Sequence, residues 1–153
     1  MRGGRGASSA RTGFSLIEVL ITIVLIGILT AFLTPRIATT MQHARVNRAA
    51  NTIAADLELA FAMAARERQP VRLTTTNATS YTISDRIGGT VRATRDLGVT
   101  SEYRLDSLTF APGTIDVFPN GVSTAALMVA VTANGYTRQV TMSRGGQIRV
   151  VPL

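Results

Sequence analysis

His43 is the one imidazole in 153 residues, and a lone histidine could ligate a metal or carry a proton. It has no second histidine and no acid at ligand spacing, so an exposed helix histidine is the expectation. Asp96, Glu102 and Asp106 are the one acidic set that could be imagined around a calcium ion. Their spacing fits no oxygen-ligand loop, and each has an arginine within a few residues, which reads as solvated surface charge. Gly88-Gly89 and Gly145-Gly146 lack the rest of a phosphate-binding fingerprint and read as turns. Asn77-Ala78-Thr79 matches a glycosylation sequon of a kind that is frequent by chance. Cysteine is absent, which excludes a disulfide framework and thiolate metal sites. No constellation for catalysis assembles, so the chain is expected to be no enzyme and to need neither metal nor cofactor.

One carboxylate is different. From Phe14 to Thr34 the only charge is Glu18, and a helix of that length rises about 31 Å, enough to cross the hydrocarbon core of a bilayer. An unpaired carboxylate in such a helix costs a few kcal/mol. Ahead of the run lie small, polar and basic residues with Arg2, Arg5 and Arg11. A removable signal peptide is one reading, but its apolar core should be about 7–15 residues and end in a small-x-small site. The stretch Val19–Leu33 is at the upper limit, and Ala31 and Ala38 stand in poor contexts. The preferred reading is a retained single-pass helix, with the basic leader cytoplasmic and the rest of the chain outside.

Gly13-Phe14-Ser15-Leu16-Ile17-Glu18-Val19-Leu20 resembles the cleavage site and helix start of type IV pilins and type II secretion pseudopilins. The resemblance implies that a prepilin peptidase cuts Gly13–Phe14 and methylates Phe14 as the new N-terminus. It also implies that Glu18 meets the N-terminal amine of a neighbouring subunit and so drives assembly. Two physical observations stand beside it: the new amine would lie about one helical turn from Glu18, and an acid near a helix N-terminus complements the dipole. The plain alternative places Glu18 in the headgroup region with no partner.

The elements behind this segment follow in order. Pro35 should kink the helix. Between Ile37 and Arg68 there is neither Pro nor Gly, and Ala is abundant, which favours helix. Val46, Ala50, Ile53, Leu57, Ala60, Phe61 and Ala64 form an apolar stripe at spacings of three and four. Leu59 and Met63 point elsewhere, either under a wrapping sheet or toward neighbouring subunits. Gln69-Pro70 ends the helix. Strands are expected at Val71–Thr76, Tyr81–Asp85, Val91–Thr94, Leu105–Phe110, Ile115–Phe118, Leu127–Ala133, Tyr136–Met142 and Gln147–Val151. Asn134-Gly135 suits a two-residue type I′ hairpin turn. The class is therefore α+β, a long N-terminal helix packed on a C-terminal antiparallel sheet domain. The divisions are a leader 1–13, a membrane and assembly helix 14–35, its amphipathic continuation 36–69 and a β-rich domain 70–153.

The formal charge of +7 overstates the basicity of that domain, because Arg2, Arg5 and Arg11 belong to the leader. All sixteen basic residues are arginine, which points to compositional bias, since phosphate-binding proteins ordinarily use lysine as well. Leu108-Thr109-Phe110-Ala111-Pro112-Gly113 and the ending Val140–Val150 resemble the GspH/FimT group of minor pseudopilins. That likeness implies a minor pseudopilin of a type II secretion system. Such a subunit sits in the bacterial inner membrane with its C-terminal domain in the periplasm. It partners other major and minor pseudopilins, the prepilin peptidase and the inner-membrane assembly platform. The alternative is a FimT-like minor type IV pilin for pilus assembly or DNA uptake. FimT-like pilins that bind DNA use a Gly-Arg-x-Arg tail, and here Gly146-Gln147-Ile148-Arg149 lacks the first arginine. Arg138 and Arg144 could partly compensate and Tyr136 could stack on a base, giving weak, salt-sensitive binding at most. Outside the family, the rival is a single-pass anchored binding domain.

Overall fold

The computed structural model describes residues 13–153. The leader arginines Arg2, Arg5 and Arg11 lie outside the described residues. One helix, α1 (Leu16–Glu67), precedes eight strands: β1 (Val71–Asn77), β2 (Ser80–Asp85), β3 (Val91–Asp96), β4 (Ser107–Ala111), β5 (Thr114–Val117), β6 (Leu127–Ala133), β7 (Tyr136–Met142) and β8 (Ile148–Pro152). The chain divides into two compact units after Ala38.

In the first unit, Ser15 caps α1. Its hydroxyl oxygen accepts the Glu18 N–H at 3.2 Å, and its carbonyl accepts from Glu18 and Val19. Every described side chain from Phe14 to Phe32 is exposed. Thr22 and Thr30 turn their hydroxyls back onto the carbonyls of Glu18 and Ile26 at 2.7 Å, so neither leaves an unmet donor on this apolar surface. Among the described residues no helix is long and apolar enough to cross a membrane. The helix assignment continues through Pro35 without interruption.

The second unit, from Thr39 onward, holds the rest of α1 and two four-stranded antiparallel sheets, ordered β3-β2-β1-β5 and β4-β6-β7-β8. The stripe Val46, Ala50, Ile53, Leu57, Ala60 and Ala64 is fully buried, joined by Ala49, while Phe61 is only partly covered. Alternation along the strands supplies the facing surface. Val71, Leu73, Tyr81, Ile83, Ile115 and Val117 come from the first sheet, and Val129, Val131, Val140 and Met142 from the second. Leu59 is 47% exposed, whereas Met63 packs against the core. Arg68 ends α1 with φ 55°, the left-handed cap conformation usually taken by glycine, and Pro70 then prevents continuation. Asn134 and Gly135 both have positive φ, as a type I′ turn requires.

Candidate assembly and binding sites

At the start of α1, Ser15-Leu16-Ile17-Glu18 has the S-x-x-E spacing of a capping box, and the Ser15 half of that box is formed. The S-x-x-E spacing that signals this local role is legible in the sequence. The Glu18 carboxylate itself is exposed and makes no ion pair among the described residues. Gly13 and Phe14 precede the helix, and Phe14 is 82% exposed. Around Glu18 the side chains of Leu16, Ile17, Val19 and Leu20 are all bare. A helix apolar on every side needs lipid or other helices to cover it.

The structure separates the C-terminal arginines. Arg138 pairs with Val131 in the β6–β7 register, so it shares the face of the buried Val129 and Val140. There its Nε–H donates to Asn47 Oδ1 at 2.7 Å and to Tyr136 Oη at 3.0 Å. Arg149 pairs with Thr141, on the opposite face of the same sheet. Arg144 is exposed in the β7–β8 turn. Tyr136 has one ring face covered by His43, with centroids 3.9 Å apart and planes 20° apart. His43 thus keeps its exposure but also fastens the helix to β7, a contact that spacing along the chain could not reveal.

The acids singled out in the sequence do not converge. Asp96 accepts the Gly98 N–H at 2.9 Å within a turn, and Asp106 accepts the Asn134 N–H at 2.6 Å. Among the described residues no group of three or more His, Cys, Asp or Glu could hold a metal ion. The organising carboxylates are instead Asp56, Asp85 and Asp116, all buried. Asp56 lies on the core face of α1 and takes the Tyr81 hydroxyl at 2.6 Å and both arms of Arg95 at 2.8 and 2.9 Å. Asp116 is held by Arg72 at 2.7 Å and Arg86 at 3.0 Å, and the Arg72 hydrogen bond keeps its pKa below the ordinary carboxylate value. Burial pushes the Tyr81 phenol well above its usual value, and the Asp56 charge pushes it further. Arg92 falls between the paired positions Ala93 and Val91, a bulge that aims it at Asp85 (2.8 Å) and at Glu67 on α1 (3.0 Å). One signal was available for Asp56: it interrupts the apolar stripe beside Ile53 and Leu57.

Together these features define a pilin-like α+β subunit, with a helix that is bare at its start and forms the core of a two-sheet domain further on. Residues 49–146 match the family described as "Type II transport protein GspH", and the chain belongs to it. Residues 8–34 match the prokaryotic N-terminal methylation motif. Two solved structures of the type IV minor pilin FimU from Pseudomonas aeruginosa are similar in fold. One has a TM-score of 0.59 at 18% identity, covering 72% of this chain and 90% of that one. The other has a TM-score of 0.56 at 18% identity, covering 69% and 92%. The minor pseudopilin EpsH of the Vibrio cholerae type 2 secretion system gives 0.53 at 16% identity, covering 71% of this chain and 97% of that one. No curated protein sequence matches. Family and fold are those of structural pilin-like subunits and not of enzymes.

Proposed function

We propose that the chain is a minor pseudopilin of a type II protein secretion system. It is anchored by one pass in the bacterial inner membrane with the domain from Thr39 onward in the periplasm. A prepilin peptidase cuts Gly13–Phe14 and methylates Phe14. The subunit then joins major and minor pseudopilins at the inner-membrane assembly platform, and the short periplasmic fibre helps drive protein export. Pro35 bends the helix as it leaves the membrane.

The observation that carries this reading is the bare apolar surface from Leu16 to Phe32 with one carboxylate, Glu18, a turn from the cleavage bond and without an ion pair among the described residues. Such a surface suits lipid first and a bundle of like helices later, and the carboxylate would find the new amine of a neighbour in the bundle. The test compares Glu18→Ala with Glu18→Gln in the native host, scoring cleavage and recovery in the sheared fibre. Glutamine also serves in a capping box, so it keeps the local helix role and removes only the charge. Cleavage intact with both variants lost from the fibre is the expected result. Normal incorporation of Glu18→Gln would end the pairing role.

A second reading is a minor subunit of a type IV pilus, which the fold likeness to FimU favours. Deleting the gene and scoring secretion against pilus-dependent motility separates the two machines.

A further inference from the structure

On the side of the domain where α1 carries Gln42 and Arg45, a cleft of about 460 Å³ opens against Val99, Arg104, Asp106 and Asn134. Its two arginines differ from the four that grip buried carboxylates, and unlike the other arginines without an ion pair they line one cleft together. Arg72, Arg86, Arg92 and Arg95 each hold a carboxylate at 2.7–3.0 Å, whereas Arg45 and Arg104 hold none among the described residues. The one acid of the cleft, Asp106, is partly occupied by the Asn134 N–H.

Arg104 is also presented from a fastened backbone. Its φ of 50° is one that L side chains rarely adopt, and both neighbours are tied down. The Tyr103 hydroxyl sits 3.1 Å from Thr52 Oγ1 on α1, and Leu105 is fully buried with its N–H on the Leu97 carbonyl at 3.0 Å. Arg45 is half-buried on the helix. Two guanidinium groups are thus offered to one cleft from two separately fixed elements, with the Gln42 and Asn134 amides as further donors. Guanidinium forks match oxyanions in both charge and geometry. A carboxylate offers two oxygens to these donors, while a phosphate offers more oxygens and up to two charges against the cleft's excess of one cation.

We infer that this cleft binds a phosphate oxyanion, either free or on the headgroup of an anionic phospholipid. The headgroup source rests on the membrane-anchored reading above, and the free source does not.

The test uses the full chain with ¹⁵N-labelled arginine and follows the Nε–H signals. In detergent micelles, inorganic phosphate is titrated against chloride at matched ionic strength. In nanodiscs, phosphatidylcholine alone is compared with phosphatidylcholine containing phosphatidylglycerol. Saturable shifts of Arg45 and Arg104 are expected, weakened about tenfold by Arg45→Ala or Arg104→Gly, glycine being chosen because it accepts the positive φ. Asp106→Asn removes the opposing charge while its amide oxygen can still accept the Asn134 N–H, and should tighten binding several-fold. Response to both probes assigns the free anion, and response to phosphatidylglycerol alone assigns the headgroup. No saturable shift with either probe, or shifts that survive both arginine variants unchanged, overturns the inference. A chain that fails to co-migrate with nanodiscs yet responds to inorganic phosphate counts against the membrane reading and leaves the phosphate site standing.

Discussion

The Tyr81 hydroxyl donates to the buried Asp56 carboxylate at 2.6 Å, joining β2 to the core face of α1 beside the fork of Arg95. Arg95 keeps 39% of its side chain exposed, so it can return to water if its partner is removed. The Tyr81 hydroxyl cannot. Asp56→Ala is expected to cost about 2–4 kcal/mol and Tyr81→Phe about 1–2 kcal/mol, since the phenylalanine leaves Asp56 its arginine. Urea denaturation of the wild type and both variants checks the order. A Tyr81→Phe loss equal to that of Asp56→Ala would mean that Arg95 contributes little.

The same phenol predicts an alkaline limit. Its folded pKa is raised above the unfolded value of about 10, so the folded state holds the proton where the unfolded state has lost it. Its contribution is complete below about pH 10 and declines as pH rises beyond that. Denaturation midpoints measured between pH 8 and 11 should fall for the wild type and fall less for Tyr81→Phe.

Asp116 predicts the acid side. Arg72 holds its folded pKa below the unfolded value of about 3.9, so the stabilisation is present above that value and is lost as pH falls through the folded pKa. Thermal melts at pH 7 and pH 3 should differ less in Asp116→Asn than in the wild type. An unchanged difference would place the acid sensitivity on another carboxylate.

Gly146 has φ 78°, and an added Cβ would stand 3.2 Å from the Phe61 ring. Both constraints oppose alanine, and Gly146→Ala should cost about 1–3 kcal/mol. Gly145→Ala meets nothing within 4 Å and should stay within about 0.5 kcal/mol. The difference between the two unfolding free energies reads the combined cost of the positive φ and of the contact with Phe61 on α1.

The arginine geometry makes a prediction about DNA. Arg138 is engaged with Asn47 and Tyr136 on the core face, while Arg144 and Arg149 are exposed. Any gel shift of duplex DNA by the full chain at low salt should depend on Arg144 and Arg149, and should disappear near physiological salt. Equal dependence on Arg138 would require that side chain to leave its partners.

Much of this was legible along the chain because it depends on short-range patterns. Ser15, Glu18 and the uncharged run after them mark a helix start and an unusual carboxylate through local spacing alone. Short runs of β-forming residues between turn signals located the strands, and Asn134-Gly135 located a hairpin whose turn needs positive φ at both positions. The stripe from Val46 to Ala64 identified the buried helix face, because side chains three and four apart share one side.

Only the tertiary structure decided which charges meet. Asp56 and Arg95 are 39 positions apart, Arg72 and Asp116 are 44, and Arg138 and Asn47 are 91. No local pattern encodes such pairs. The order of strands in two separate sheets brings them together, and a bulge at Arg92 adjusts the aim of one. The strand register likewise placed Arg138 and Arg149 on opposite faces, and the packing of α1 against the β3–β4 connection left Arg45 and Arg104 to share a cleft. All sixteen basic residues of the chain are arginine. In the fold, several of those arginines grip buried carboxylates with two-pronged hydrogen bonds that a lysine could not make.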